Sequence, residues 1–531
     1  MGEFRLKGII ACLCGMLCCI LATLYYKDLH KKEINNSYEK VLEVAPKEDA
    51  PIEYIGEDFQ VKKGFSTHLP LVVIEYEKEP PITAIMNIEE DRFVALEGVE
   101  PYVDGKLSIF QSEKGKNTLL DIPVTESIIK IKRRGNSSMV YEKAQYLIKT
   151  VTESGEYKDV NVLGMGEEHE WVLNGSMADK SMLRNYLSYR LASEILPYTP
   201  DNLYCEVIIK KDNTYTYQGV FLLGESIKQG KDRVDIADYK VGRNFNSYLA
   251  RRDRLDDDGI TLGTYGNQNG FSPEFFGLLY PSQRKADEDV IHYVEGDINR
   301  IEEIIYSEDF ELFSSYTQVI DVDSFVDYFL INEFIGSYDS GNYSTYCYKD
   351  RGGKLSMGPV WDFDGAMDNY FEEPLKVDTL AFQTKPWFKE LCKDHTFIKK
   401  IEKRYAYLRR YTLSEAHVIE MIDDIIHHIG GAQEREWYRW GKIYTRDNRY
   451  NLLDYTLEDG TVIVREAKSY NDEIYRIKTA LRKHGEEMAT QFKILHKSAE
   501  VTTGVNNRPG IWLFLTACIF LVPLYYIART R

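Results

Sequence analysis

The sequence is poor in cysteine outside its two apolar ends. Of the eight cysteines in 531 residues, five lie in those ends, which leaves Cys205, Cys347 and Cys392 for the whole central region. Three widely spaced thiols make neither a disulfide framework nor a cysteine-based zinc site. The sequence therefore fits a bacterial surface protein without disulfide bonds better than a disulfide-rich secreted domain.

An excess of positive charge is also lacking. The chain carries 66 lysine and arginine residues against 84 aspartate and glutamate residues, a formal net charge of −18. Nucleic-acid binding needs clustered basic side chains to neutralise phosphates, so nucleic acid is not an expected partner. The sequence has no internal repeat or low-complexity tract, and its 44% hydrophobic and 13% aromatic residues are enough for a packed core.

The two ends of the chain are long apolar segments. Residues 8–26 and 510–528 each contain 19 residues without a charge. Each is long enough to cross the hydrocarbon core of a membrane, which is about 30 Å thick. A small-x-small cleavage site does not follow the first segment, so we expect a retained anchor rather than a removed signal peptide. The sequence predicts two transmembrane helices.

The charges beside the second span set the expected orientation. Arg529 and Arg531 favour a cytoplasmic C-terminus, because basic residues concentrate on that side of a membrane. Two spans then place residues 1–7 in the cytoplasm as well. We expect a cell-membrane protein whose central region is extracytoplasmic and begins with a polar linker at residues 27–65.

The central region divides into a strand-rich and a helix-rich part. Residues 66–238 contain short alternating runs between turn residues, with one helix expected at 179–196. Residues 239–285 lack these patterns and are interpreted as a surface insertion. Residues 286–500 are mostly helical by their periodicity. The prediction is an α+β fold with a β-rich N-lobe and an α-rich C-lobe, and a cleft between lobes is a common ligand site.

An aspartate motif, GPVWDFDGAMDN (358–369), ends the second strand of a predicted hairpin. Asp339 and Asn342 lie in the loop before this hairpin, and Asp362 and Asp364 follow it. A hairpin returns its two ends to the same place, since paired strands lie about 4.8 Å apart. These four side chains should therefore converge, and carboxylate and amide oxygens suit Mg²⁺ or Mn²⁺.

The order of parts in residues 337–369 is that of the catalytic half of a protein kinase. There one aspartate accepts the proton of the substrate hydroxyl, and an asparagine and a later aspartate hold metal. Two alternatives stay open. Aspartates in turns commonly bond to their own backbone. An apolar strand leading into Asp-x-Asp-Gly is also typical of haloacid-dehalogenase-type phosphatases, although the acidic pair in MIDDII (421–426) is the only candidate for the later part of that site.

Four stretches of the sequence carry a resemblance to a known family. They are IKRRGNSSMVYEKAQYLIKT (131–150), NVLGMGEEHEWVLNGSMADKSMLRNYLSYRLASEI (161–195), YQGVFLLGESIKQGKDRVDI (217–236) and NYSTYCYKDRGGKLSMGPVWDFDGAMDN (342–369). They resemble the CotH spore-coat kinase family of surface-associated, atypical protein-kinase-like proteins. The Arg-Gly-Asn-Ser-Ser and Trp-Asp-Phe-Asp motifs, in that order, are the most specific features.

This resemblance implies a kinase that transfers the γ-phosphoryl group of ATP to Ser or Thr of surface or coat proteins. The implied cofactors are ATP and Mg²⁺ or Mn²⁺. Asp339 would be the catalytic base. The implied metal ligands are Asn342, Asp362 and Asp364.

The resemblance also implies an ATP-binding set in the first half of the chain. Lys149, which ends an alternating strand, would bind phosphates, with Glu194 as its partner. The loop over the nucleotide would place backbone N–H groups toward the phosphates. It consists of Gly135, Asn136, Ser137 and Ser138. The preceding residue, Arg134, would bind a phosphate through two N–H groups.

The sequence departs from typical protein kinases in several motifs. It has no Gly-x-Gly-x-x-Gly loop and no His-Arg-Asp, and Asp-Phe-Asp stands where Asp-Phe-Gly is usual. ATP is also scarce outside cells. A pseudokinase or assembly scaffold of the envelope or spore coat is therefore the main alternative, and transfer of AMP is a third.

Overall fold

A computed structural model describes residues 52–503 of the chain. Within this range, the residues outside the description are 88–91, 113–114, 136, 244, 255–258, 273–274, 372, 447–451, 453, 457–459, 461 and 464. Both predicted transmembrane segments, the termini and most of the predicted linker lie outside the described residues. No helix in the described part of the chain is both long enough and apolar enough to cross a membrane.

The first half of the described chain is built from strands. They are β1 (Ser66–Thr67), β2 (Leu71–Glu75), β3 (Ala84–Asn87), β4 (Arg92–Ala95), β5 (Val103–Phe110), β6 (Asn117–Thr118), β7 (Thr125–Arg133), β8 (Tyr146–Val151), β9 (Val160–Asn161), β10 (Glu167–Glu168), β11 (Glu170–Asn174), β12 (Asn202–Lys211) and β13 (Thr214–Glu225). Seven of them form a closed barrel in the order β11–β13–β12–β2–β5–β7–β8, and pairing of β8 with β11 closes it. Only the pair β12–β2 in this barrel is parallel.

Apolar side chains fill the interior of this barrel. Ile129 and Ile131 of β7, Ile148 of β8 and Trp171 of β11 are fully buried in one cluster. Ile129 and Ile131 are two positions apart because alternate side chains of a strand point to opposite faces of the sheet. Burial of each large aliphatic side chain stabilises the fold by about 1.5–3 kcal/mol. The interior of the barrel is therefore a packed core rather than a ligand cavity.

A second sheet follows the barrel along the chain. Its strands are β14 (Tyr248–Asp253), β15 (Ile260–Leu262), β16 (Phe275–Tyr280), β17 (Thr345–Lys349) and β18 (Leu355–Met357), in the antiparallel order β15–β16–β14–β17–β18. Three of these five strands come from residues 239–285, which corrects the interpretation of that segment as a surface insertion. The alternation of apolar and polar residues is not visible in this segment, because the charged residue Arg252 occupies a buried strand position, as Ala250 does.

The second half of the described chain is mainly helical. The helices are α1 (Arg184–Ser193), α2 (Tyr265–Gln268), α3 (Glu288–Ile305), α4 (Phe310–Ser314), α5 (Tyr316–Val319), α6 (Val322–Ile335), α7 (Phe388–Leu391), α8 (His395–Leu408), α9 (Glu415–Ile429), α10 (Ala432–Arg446) and α11 (Tyr470–Thr503), and a short pair of strands, β19 (Tyr455–Thr456) and β20 (Val462–Ile463), precedes the last one. Asp287 and Asp321 cap α3 and α6 by accepting backbone N–H groups, and Gly336 ends α6 in the left-handed conformation.

The largest hydrophobic cluster joins the two halves. It contains Leu187 of α1, Phe329 of α6 and Val294 of α3 together with Leu222 on the outer face of the barrel. Phe363 of the aspartate motif belongs to the same cluster. The predicted α+β plan, strand-rich and then helix-rich, is confirmed, and the aspartate motif lies at the junction.

Candidate active site

Three aspartates meet at this junction. Asp339 precedes the β17–β18 hairpin, and Asp362 and Asp364 follow it. Burial and then repulsion from Asp339 raise the pKa of Asp362, while burial and then Asp362 raise the pKa of Asp364 to about 7. Asp362 is surrounded by protein atoms yet keeps contact with solvent. Asp362 is exposed and Asp364 is half-buried, so solvent reaches this part of the cluster.

The backbone of Asp362 is held in an unusual conformation. Its φ is +65°, and Ser344, whose side chain bonds to the Asp362 carboxylate, has a φ of +49°. Left-handed backbone at residues other than glycine costs roughly 1–2 kcal/mol each. The next residue, Phe363, is buried and donates its N–H to Asn185 Oδ1 at 2.8 Å. Packing thus fixes a strained aspartate, a pattern typical of functional sites.

Polar side chains of the first half hold Asp364. Asn185 on α1 donates from Nδ2 to the Asp364 carboxylate, and Ser176 bonds to the same carboxylate. Asn369 donates to the Asp364 carbonyl oxygen at 2.7 Å. Asp364 therefore has a fixed orientation before any ligand binds.

Arg184 supports the turn that follows the aspartates. It is fully buried, pairs with Asp179 at 2.7 Å and with Glu473 of α11 at 3.0 Å, and donates to the Ala366 carbonyl oxygen at 2.9 Å. Asp179 does not begin the helix as predicted. Its carboxylate accepts the N–H of Arg184, and α1 starts there.

A buried lysine that the sequence analysis did not select, Lys143, lies beside this cluster. Its Nζ contacts Glu436 Oε1 at 2.6 Å and the Val220 carbonyl oxygen at 2.8 Å. Burial lowers the pKa of Lys143, and the carboxylates of Glu436, Asp179 and Asp364 oppose that effect. The lysine lines a small cavity with Asn174, Ser176, Asp179, Met182, Asn185, Tyr204, Val220, Phe221 and Leu222.

Glu436 joins helix α10 to the barrel. Its Oε2 accepts the N–H of Val220 at 2.7 Å, and its Oε1 also accepts the hydroxyl of Tyr444 at 2.6 Å. Gly219 has no room for a side chain, because a Cβ there would lie 2.1 Å from Glu436 Oε2. The sequence gives little indication of the Lys143–Glu436 pair, because the two residues are almost three hundred positions apart in the chain.

Lys149 and Glu194 do not form the predicted pair. Lys149 contacts Glu170 at 3.3 Å across β8 and β11, and its Nζ lies 5.3 Å from the Tyr102 ring centroid. Burial lowers the pKa of Lys149, but Glu170 and then Tyr102 outweigh it, so the pKa is raised. Glu194 lies at the end of α1 and contacts His417 of α9 at 2.9 Å. In the described part of the chain, the contacts of Lys149 do not include the three aspartates.

The Arg-Gly-Asn-Ser-Ser loop approaches the cluster through Arg134. The Arg134 guanidinium lies 5.1 Å from the Trp361 ring centroid and lowers the pKa of Asp362. Gly135 has a φ of +96°, and a Cβ there would lie 2.0 Å from Ser138 Oγ. The predicted loop residue Asn136 lies outside the described residues. The backbone of Ser137 and Ser138 begins a short 3-10 helix.

Asp339 opens a tight turn. Its carbonyl oxygen accepts the N–H groups of Asn342 at 3.1 Å and of Tyr343 at 2.9 Å. Lys385 donates to the neighbouring Tyr338 carbonyl oxygen and faces Asp339. Burial lowers the pKa of Lys385, and Asp339 opposes this. Asn342 thus shares the turn of Asp339, and a cation lies next to the predicted base.

Asp362, Asp364 and Asn342 carry the oxygen donors that Mg²⁺ or Mn²⁺ prefers. Asp362 and Asp364 are carboxylates held close enough to repel each other, and a cation between them would remove that repulsion. The described residues contain one group whose His, Cys, Asp or Glu ligand atoms all lie within 4.8 Å of one another, and it is Asp159, Glu168 and His169 on the barrel. Asp339, Asp362 and Asp364 do not form such a group, so a cation held there would need oxygen ligands in addition to these carboxylates.

The family assignment follows from a match over most of this architecture. The family model of the CotH kinase protein matches residues 131–487. The chain belongs to the CotH kinase family. The part of this CotH kinase family member that the model matches runs from β7 to α11. It includes Arg134, Lys143, Asp339, Asp362 and Glu436, the main residues of the candidate site. The search of curated proteins found no match.

Proposed function

We propose that this CotH kinase family member is an ATP-dependent protein Ser/Thr kinase acting on surface or coat proteins. The observation that carries the proposal is the convergence of Asp339, Asp362 and Asp364 beside Lys143 and Arg134. Three carboxylates and two cations at the junction of the two halves provide a base, oxygen ligands for metal and neutralising charge for phosphates. These are the parts that phosphoryl transfer needs.

The transfer step follows from these positions. The acceptor hydroxyl oxygen forms a bond to the γ-phosphorus, the bond from that phosphorus to the bridging oxygen breaks, and ADP leaves. The hydroxyl proton moves to the Asp339 carboxylate. Asp362 and Asp364, with Asn342, would hold Mg²⁺ or Mn²⁺, which supplies positive charge to the phosphate oxygens when bound. Ser344, Asn185 and Ser176 keep the two carboxylates in place.

Lys143 supports the phosphate-binding role better than Lys149 does. Lys143 interacts electrostatically with Asp364, whereas Lys149 is held by Glu170 and two tyrosine rings. A lysine that neutralises phosphates has to lie near the metal that binds the same phosphates. In this proposal Lys149 stabilises the barrel wall, and the loop at Gly135 covers the nucleotide.

The scaffold alternative also has structural support. Lys143 Nζ is already bonded to Glu436 and Val220. Its charge is therefore partly neutralised before a phosphate binds, and nucleotide binding without turnover is the second candidate function. The phosphatase alternative has less support, because Asp423 of its acidic pair lies within α9 and pairs with Lys478 at 2.5 Å. Anchoring by two transmembrane helices with an extracytoplasmic domain stays part of the proposal, and it rests on the sequence alone.

A labelling experiment tests the kinase proposal. The full-length chain, purified in detergent, is incubated with γ-³²P-ATP and Mg²⁺ or Mn²⁺, beside Asp339→Ala, Asp362→Ala, Lys143→Met and Lys149→Met. We expect label on the protein or on a generic acceptor in the wild type and in Lys149→Met, and its loss in the other three. Nucleotide binding without label in the wild type would identify a scaffold. Label retained in Asp362→Ala would contradict the proposed site.

A further inference from the structure

The stretch ARRDR (250–254) contains two arginines at the end of strand β14 and a third, Arg254, just after it, and the three occupy different environments. Arg252 is buried, with its guanidinium over the Trp387 ring and its Nη1 donating to the Gly341 carbonyl oxygen at 3.2 Å. Arg251 lies 3.7 Å from Asp253. Both have structural partners. Arg254 is exposed, and among the described residues its guanidinium has no hydrogen-bond or ion-pair acceptor.

The second sheet places Arg254 beside the turn that Asp339 opens. Arg252 pairs with Thr345 across β14 and β17, so the same antiparallel register continues to Arg254 opposite Tyr343. The Arg254 guanidinium carbon lies 3.8 Å from the Tyr343 ring centroid. The Tyr343 N–H bonds to the Asp339 carbonyl oxygen at 2.9 Å, and the next residue, Ser344, bonds to Asp362. Arg254 is thus fixed to the segment that links the predicted base to the predicted metal ligand.

Stacking on Tyr343 uses the face of the Arg254 guanidinium and not its N–H groups. A guanidinium that lies over an aromatic ring uses its face, and its five N–H groups point outward in its own plane. That fork matches two oxygens of a phosphate. The stacked arginine therefore offers an anion-binding fork next to the acidic site.

We propose that Arg254 is a catalytic arginine that binds the γ-phosphoryl group during transfer. The inference rests on the proposed kinase function and adds a residue from the second sheet to Lys143 and Arg134 from the first half. Arg254 donates hydrogen bonds to the phosphoryl oxygens as the acceptor oxygen bonds to phosphorus and ADP leaves. It neither gains nor loses a proton, because the hydroxyl proton goes to Asp339.

The test compares Arg254→Ala and Arg254→Lys with a matched control, Arg284→Ala. Arg284 lies in the same 239–285 segment, is exposed and has its guanidinium 5.2 Å from the Tyr157 ring centroid. The full-length chain in detergent is assayed for kcat and for KM of ATP and acceptor. Dissociation constants are measured for ADP and for an ATP analogue with a β,γ-imido bridge, both with Mg²⁺.

We expect Arg254→Ala to lower kcat by about 100-fold or more, because single donors to a transferring group contribute on this scale. It should also reduce the preference for the triphosphate analogue over ADP by about tenfold. Arg254→Lys should recover part of both effects, since it keeps the charge and loses the fork. Arg284→Ala should match the wild type, and thermal unfolding of all variants checks that the fold is retained.

Three results would decide against the inference or separate it from the kinase proposal. If Arg254→Ala behaves as Arg284→Ala does, the inference is wrong. A rise in the acceptor KM alone, with unchanged nucleotide constants, would also overturn it and make Arg254 an acceptor-binding residue. If the wild type transfers no phosphate but Arg254→Ala still loses the preference for the triphosphate, phosphate binding by Arg254 stands and only the kinase proposal fails.

Discussion

The buried pair Lys143–Glu436 allows a quantitative test of the junction between barrel and helices. The exposed fractions of the two side chains are 1% and 0%, and the carboxylate also accepts the Val220 N–H and the Tyr444 hydroxyl. Removal of one member of such a pair leaves the other charge buried without its partner, at a cost of about 3–5 kcal/mol. That is a large part of the about 5–15 kcal/mol that stabilises a typical domain.

Single variants Lys143→Met and Glu436→Gln should each lower the free energy of unfolding by this amount. In Glu436→Gln one of the two terminal atoms becomes an NH₂ group, which must face the donor of either Val220 or Lys143. The double variant Lys143→Met/Glu436→Leu should cost less than the sum of single losses by several kcal/mol, because neither charge remains. An exposed pair, Lys130–Asp104, is the control, and Lys130→Met should cost less than about 1 kcal/mol.

Tryptophan fluorescence during urea unfolding is the assay. Trp440 lies one turn from Glu436 on α10 and donates to the Gln218 carbonyl oxygen at 2.8 Å, so it reports on this contact directly. Losses below about 1 kcal/mol for both single variants, or additive losses in the double variant, would show that the pair is not a buried ion pair. The argument that Lys143 is fixed for phosphate binding would then fail.

Three further predictions concern pH and the nucleotide loop. Because the pKa of Asp364 is raised to about 7 from an unfolded value near 3.8, the folded protein binds the extra proton between these values. The free energy of unfolding of the wild type should therefore fall from pH 4 to 7 relative to that of Asp364→Asn. In metal-free urea titrations at pH 8, Asp364→Asn should be more stable than the wild type by about 1–3 kcal/mol. His484 donates to the Glu333 carbonyl oxygen at 2.8 Å and pairs with its carboxylate, which outweighs burial and raises the pKa of the histidine. The stability that protonated His484 contributes is complete below pH 6.5 and is lost as the pH rises through the pKa of the folded state. Over that rise the urea midpoint of the wild type should decline, and the midpoint of His484→Gln should stay constant. Gly135→Ala places a methyl group on Ser138 in a left-handed backbone, and calorimetry should show an about tenfold or greater loss of nucleotide affinity, whereas unchanged affinity would remove the loop from the site.

The sequence predicts the parts of this site that depend on short-range order. The hairpin predicts that Asp339, Asn342, Asp362 and Asp364 converge, and in the structure Asp339 acts electrostatically on Asp362, and Asp362 on Asp364. The strand-rich and helix-rich halves followed from periods of two and of about 3.6 residues. These patterns predict the elements correctly because the backbone geometry of each element and the burial of one of its faces require the same spacing of apolar residues.

Contacts between distant segments were beyond the sequence patterns. The sequence pattern indicates Lys149 and gives no signal for Lys143, because the partner that distinguishes Lys143, Glu436, lies far along the chain. The strands at 239–285 were missed because Arg252 is buried against Trp387 and so breaks the apolar alternation. In both cases a charged side chain has a buried partner far along the chain, and composition alone classifies it as exposed.

Helix α11 runs from the candidate site to the C-terminal end of the described chain. Its first turns contact the site, through Glu473 with Arg184 and through Arg476 with Asn369. Its 34 residues make a rod of about 50 Å, which ends at Thr503, a few residues before the predicted span 510–528. Leu481, Met488 and Phe492 along this helix belong to the largest hydrophobic cluster. One helix therefore braces the turn after the aspartates at its first end and the packing of the helical half along the rest of its length.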